Sequence, residues 1–131
     1  MTDRALVVEN EPDVASLFVH HLGRMGFDCT ATDSAEGALD LLDHEDFDLA
    51  VVDILLPGMT GSELIDRVRS GSRHPDLAIV ASSILDLQDL PGIGADATLG
   101  KPFRAQSVAQ AVAKAQRAVQ ARTAGRKDRN V

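Results

Sequence analysis

The sequence predicts an α/β domain: a doubly wound, five-stranded parallel sheet with helices packed on it. Three observations carry this. Short apolar runs of strand length alternate with stretches that are apolar at i, i+3, i+4 and i+7. The first of those runs lacks polar alternation, as in a strand covered on both faces. The 131 residues, 44% hydrophobic and 25% charged, suit one ordinary globular domain that needs no staples.

In chain order, Ala5-Leu6-Val7-Val8 reads as the first strand. Pro12 then opens a helix, because its missing N–H costs nothing at the first helical position. Val14, Leu17, Phe18, His21, Leu22 and Met25 form one face of that helix, and Gly26 stops it. Phe27 to Thr32 is the second strand. Asp33 or Ser34 caps a second helix with Ala35, Ala38, Leu39 and Leu42 inward.

Phe47 to Val52 is the third strand and ends at Asp53, before a turn-rich loop with Pro57, Gly58 and Gly61. Glu63 to Arg69 is helical, with Leu64, Ile65 and Val68 on one side. Leu77 to Ala81 is the fourth strand. Pro91, Gly92 and Gly94 leave little room for a helix in 84–95, so a fourth helix there is expected to be shortened or missing. Ala97 to Leu99 is a weak fifth strand. Arg104 to about Arg122 is an Ala-rich helix with Val108, Ala111, Val112, Ala115 and Val119 inward, and 123–131 reads as a basic tail without structure. Residues 1–122 are therefore expected to be the domain.

Composition excludes several classes. The net charge of −7 is uneven: residues 1–113 carry −12 and residues 114–131 carry +5. An acidic body is a poor surface for duplex DNA. Four Phe, with no Trp or Tyr, make a poor stacking platform for single strands. The single cysteine, Cys29, rules out a disulfide scaffold and favours a reducing compartment. No apolar run approaches the roughly 18 residues of a membrane span, and the start lacks a signal-peptide shape, so a cytoplasmic location is expected.

In open parallel sheets the site lies beyond the carboxyl ends of the strands. Glu9-Asn10-Glu11 follows strand one, Asp53 ends strand three, Ser82-Ser83 follows strand four and Lys101 follows strand five. Clustered carboxylates with backbone carbonyls suit a hard, oxygen-seeking cation such as Mg²⁺. A lysine and a hydroxyl suit an incoming phosphoryl group, for which a carboxylate can act as acceptor. A loop-capping Asp53 paired with Lys101 accounts for one contact, but not for agreement among four strand ends.

The stretch Asp53-Ile54-Leu55-Leu56-Pro57-Gly58-Met59-Thr60-Gly61 resembles the phosphoacceptor loop of two-component response regulator receiver domains. Val7-Val8-Glu9-Asn10-Glu11-Pro12 resembles their acidic-pair segment, and Gly94-Ala95-Asp96 followed by Lys101-Pro102-Phe103 their fifth-strand segment. The resemblance covers about residues 4–120. It implies a flavodoxin-like (βα)5 fold and a stand-alone receiver rather than an enzyme. It also implies Asp53 as phosphoacceptor, with Lys101 binding the phosphoryl oxygens. Mg²⁺ would be held by Glu9, Asn10, Asp53 and the Leu55 carbonyl. Ser82 would be the hydroxyl that moves to the phosphoryl group, with Ser83 the weaker candidate, and the Lys101-Pro102 bond would be cis. A sensor histidine kinase or phosphotransfer protein would be the donor. Signalling would run through protein contacts with an unidentified target, without DNA or membrane, and a homodimer stays open.

Three departures matter. Asn10 replaces an acid, which predicts weaker Mg²⁺ binding. Thr98 stands where the family carries an aromatic, so its hydroxyl-to-aromatic relay cannot work in the usual form. The altered stretch after Ser83 makes residues 84–95 the expected moving element. The departures keep open a second class: a degenerate receiver acting as a phosphorylation-independent interaction module.

Other motifs fall away. Gly92-Ile93-Gly94-Ala95-Asp96-Ala97 matches a dinucleotide-binding pattern but follows no strand. His20 and His21 are adjacent, so they point to different sides of a helix. Cys29 reads as a packed thiol. Aspartyl phosphatases carry a second acid two residues after the nucleophile, where this chain has Leu55.

Overall fold

The computed structural model describes residues 3–84 and 93–129, with side chains as far as Gly125. The elements are β1 (Arg4–Val8), α1 (Pro12–Arg24), β2 (Asp28–Thr32), α2 (Ala35–His44), β3 (Leu49–Asp53), α3 (Gly61–Ser70), β4 (Ala78–Ser83), β5 (Ala97–Gly100) and α4 (Ala105–Arg129). The five strands form one parallel sheet in the order β2-β1-β3-β4-β5. This is the doubly wound arrangement the periodicity predicts.

The two faces of the sheet sort the core. Ala5, Val7, Leu49, Val51, Ala78 and Val80 pack with Phe18 and Leu22 of α1 and Val108, Val112 and Ala115 of α4. Their strand neighbours Leu6, Val8, Ala50, Val52, Ile79 and Ala81 pack with Ala38 and Leu42 of α2 and Leu64 and Ile65 of α3. Side chains alternate along a strand, so a strand buried on both faces must be apolar throughout. Each fully buried Leu, Ile or Phe contributes about 1.5–3 kcal/mol.

Local chemistry fixes the helix ends. Ser34 Oγ accepts from Gly37 N at 3.0 Å, which makes Ser34 the cap of α2. Thr60 Oγ1 accepts from Glu63 N at 3.1 Å, so α3 begins at Gly61, earlier than apolar spacing alone suggests. Gly26, with φ 98°, carries the chain out of α1 in the left-handed region.

Two expectations are corrected. Leu17 and Met25 are 49% and 41% exposed: α1 buries only Phe18 and Leu22, and Met25 lies past its last residue. The last helix does not end near Arg122 but runs to Arg129. Its added turns hold Ala124, Arg126 and Lys127, good helix formers that offset Gly125, which costs about 1 kcal/mol relative to Ala. The expected shortening or loss of a helix after Ser83 falls largely on 85–92, outside the described residues. No described helix is long and apolar enough to cross a membrane.

Candidate functional site

Four connections bring the site together at the carboxyl edge of the sheet. Glu9 directly follows β1, where its N–H donates to Thr32 O at 3.0 Å and prolongs the β1–β2 ladder. Asp53 ends β3 in register with Ser82, and Ile54 N donates to Ser82 O at 2.9 Å. Lys101 N donates to Ser83 O at 3.0 Å, which carries the β4–β5 ladder one residue further. The Lys101-Pro102 peptide is cis, as the receiver resemblance implies. Phe103 then stacks on Phe18 with ring centroids 4.5 Å apart, fastening this segment to α1.

The side chains meet. Lys101 Nζ donates to Glu9 Oε1 and lies 3.4 Å from Asp53 Oδ2. Asp53 Oδ1 accepts from Leu55 N at 3.1 Å, and Glu9 Oε2 accepts from Glu11 N at 3.3 Å. Glu9 and Asp53 are only 2% and 7% exposed. Burial raises the pKa of Glu9 above its ordinary value, and the nearby Asp53 charge adds to this, while Lys101 opposes it.

The remaining candidates are placed less centrally. Asn10 is exposed, at the mouth of a pocket of about 430 Å³ that it shares with Glu9, Thr32 and Asp33. Leu55 is about half exposed. Ser82 and Ser83 are both buried, and Ser82 Oγ has no hydrogen-bond partner among the described residues. By strand alternation Ser82 shares a face with Ala78 and Val80, and Ser83 shares the other with Ile79 and Ala81. Thr98 is exposed on β5 and carries no ring.

Sequence reasoning missed the direct Glu9–Lys101 bond and the role of Gly61. A Cβ on Gly61 would stand 2.1 Å from Asp53 O, so α3 can approach the Asp53 backbone only without a side chain there. Gly61 N also donates to Ile54 O at 3.0 Å. The Gly in the loop was visible, but the close approach was not.

The donor chemistry fits Mg²⁺. Two buried carboxylates flank one cationic group, the Lys101 ammonium, and every candidate donor atom is oxygen. Glu9 and Asp53 are the charged donors available. Among the described residues no cluster of three or more His, Cys, Asp or Glu adds to them.

Residues 5–113 match the response regulator receiver domain family. The chain belongs to that family, the receivers of two-component systems, in which phosphorylation and Mg²⁺ binding are general properties. It is 30% identical over 106 residues to regulatory protein VanR of Enterococcus faecium, covering 79% of this chain and 46% of that one. It is 35% identical over 104 residues to the transcriptional regulatory protein YrkP of Bacillus subtilis, covering 79% and 45%. The chain thus spans about half the length of the curated relatives it matches. Among solved structures, a response regulator of Chloroflexus aurantiacus superposes with TM-score 0.82 at 28% identity, covering 88% of this chain and 98% of that one. The chemotaxis response regulator CheY4 of Vibrio cholerae superposes with TM-score 0.82 at 21% identity, covering 88% and 99%, a likeness of fold.

Proposed function

We propose that this receiver takes a phosphoryl group onto Asp53 from a phosphohistidine on a sensor kinase or phosphotransfer protein. The observation that carries the reading is the convergence of the Glu9 and Asp53 carboxylates, from two strand ends, on the Lys101 ammonium from a third. In the transfer an Asp53 carboxylate oxygen forms the new O–P bond, the N–P bond of the donor breaks, and the imidazole leaves with the electron pair. Glu9, Asp53, the Leu55 carbonyl and the Asn10 amide oxygen are the groups that would hold Mg²⁺. When bound it supplies positive charge against the phosphoryl oxygens.

Lys101 supplies the protein's own charge to the same oxygens, as an ammonium 3.4 Å from the acceptor carboxylate already is placed to do. Leu55 N–H holds Asp53 Oδ1 and so orients the acceptor. Ser82, whose hydroxyl lacks a partner among the described residues, is proposed as the group that moves toward the phosphoryl oxygens. The chain signals through contacts with a protein target rather than DNA, in keeping with its acidic body. A cytoplasmic setting goes with this reading.

Intact mass after incubation with acetyl phosphate and Mg²⁺ tests it. A gain of one phosphoryl group is expected in the wild type and none in Asp53→Asn. Thr98, which lacks the ring through which the family relays its signal, favours a second reading: an interaction module that works unphosphorylated. An unlabelled wild type that still binds its partner would select that reading.

A further inference from the structure

At the opposite end of the sheet lies a second polar cluster, centred on Asp96. Its Oδ2 accepts from Arg69 Nη2 at 2.6 Å and from Ile79 N at 2.9 Å, and its Oδ1 accepts from Arg122 Nη1. Arg69 is fully committed as scaffold: its Nε donates to Gly94 O at 2.8 Å and its Nη1 to Leu77 O at 3.0 Å. Those bonds already tie α3, β4 and the segment before β5 together. Arg122 adds a second positive charge to a carboxylate that Arg69 has neutralised.

That excess faces a pocket. An open pocket of about 400 Å³ is lined by Arg69, His74, Gly94, Asp96, Arg122 and neighbouring residues. Among the residues that line the pocket, two guanidiniums against one carboxylate leave one formal positive charge, with the Asp76 carboxylate outside it, 3.5 Å from Thr123 Oγ1. The Nη2 of Arg122 is buried and has no acceptor among the described residues. The side chain as a whole is 37% exposed and lines the pocket. His74 Nε2 lies 2.7 Å from Leu42 O and donates to it, which fixes the ring at the edge of the pocket.

We propose that this pocket is a second anion site, built for a phosphate group, with Arg122 as the residue that binds it and Arg69 as its support. Arginine's planar fork matches phosphate oxygens in pairs. The volume exceeds that of a single phosphate ion, so a small phosphomonoester fits as well as inorganic phosphate. The site is separate from Asp53 and does not depend on the phosphoacceptor reading.

The test is titration of the ¹⁵N-labelled full chain with inorganic phosphate, with glycerol 2-phosphate and with acetate. Phosphate and the ester should produce saturable shifts at the amides of Gly71, His74, Gly94 and Asp96, the tighter of the two naming the natural source. Arg122→Gln should weaken them at least tenfold, and Arg122→Lys, which keeps the charge but loses the fork, by less. Shifts confined to Lys101 and Asp53 would overturn the proposal. So would equal shifts from acetate, or undiminished shifts in a folded Arg122→Gln. Should Arg122→Gln not fold, affinity in Arg122→Lys equal to wild type would overturn it.

Discussion

Lys101 holds Glu9 across 92 residues of sequence, donating to Oε1 while its ammonium stands 3.4 Å from Asp53 Oδ2. One cation therefore compensates two buried carboxylates, and the balance at the site depends on it.

Removing that cation should expose the imbalance. Lys101→Met leaves Glu9 buried without its partner, and breaking a buried pair from one side costs roughly 3–5 kcal/mol. The loss is smaller where Glu9 takes up a proton. Mg²⁺ should recover part of it, so the rise in Tm on adding Mg²⁺ should be larger in Lys101→Met than in wild type. Calorimetry with and without the metal measures this, and an equal rise would show that Lys101 and the metal do not share the carboxylates.

Asn10→Asp adds a carboxylate beside Glu9 at the pocket mouth. Mg²⁺ affinity should rise, because affinity at such oxygen sites follows ligand charge. Isothermal titration reads it directly. Unchanged or weaker binding would place residue 10 away from the ion.

The raised pKa of Glu9 has a definite sign. The folded chain holds this proton more tightly than the unfolded chain does. The associated stability is fully present below the ordinary value of 4.5 and is lost as pH rises through the folded pKa. Glu9→Gln never takes on the buried charge. In urea denaturation without Mg²⁺, the variant should gain on wild type as pH rises through that window. A gap that moves the other way would mean that Lys101 outweighs burial.

Gly61→Ala forces a methyl group against the Asp53 carbonyl, 2.1 Å from where the new carbon would stand. Overpacking of this kind costs about 1–3 kcal/mol. Because the obstruction is the backbone of the proposed acceptor, phosphorylation rate should fall along with stability. A variant that labels at the wild-type rate would separate α3 from the site.

Ser82→Ala and Ser83→Ala distinguish the two hydroxyls at the end of β4. Ser82→Ala removes a buried hydroxyl that lacks a partner among the described residues, so unphosphorylated stability should change by under about 1 kcal/mol. The spectral change on adding beryllofluoride should shrink in Ser82→Ala and persist in Ser83→Ala. The reverse would assign the moving hydroxyl to Ser83.

The fold was legible because parallel strands advertise themselves. Ala5 to Val8 is apolar on both faces, and of the predicted inward residues of α4, Val108, Ala111, Val112 and Ala115 are buried and Val119 partly so. Boundaries were harder, since hydrogen bonds rather than periodicity set them: Thr60 starts α3, and α4 continues to Arg129 past the apolar periodicity that marks its inward face. At the site, placement of Glu9, Asp53 and Lys101 at strand ends followed from topology. The Glu9–Lys101 bond and the Gly61 approach did not, because both depend on how closely crossovers pack. The Arg69–Asp96–Arg122 cluster left no trace in the sequence, as its members come from three elements without a shared spacing.

The tie between the first and last strands also bears on the order of events during synthesis. Glu9 emerges from the ribosome long before Lys101, and residues so far apart pair late because closing the loop between them costs entropy. Until β5 docks beside β4, the two carboxylates have no ammonium between them and Asp53 stands without its charge partner. A partly made chain thus displays the acidic loop but not the pocket. In the proposed role, competence at Asp53 is in effect a report that the whole sheet has assembled.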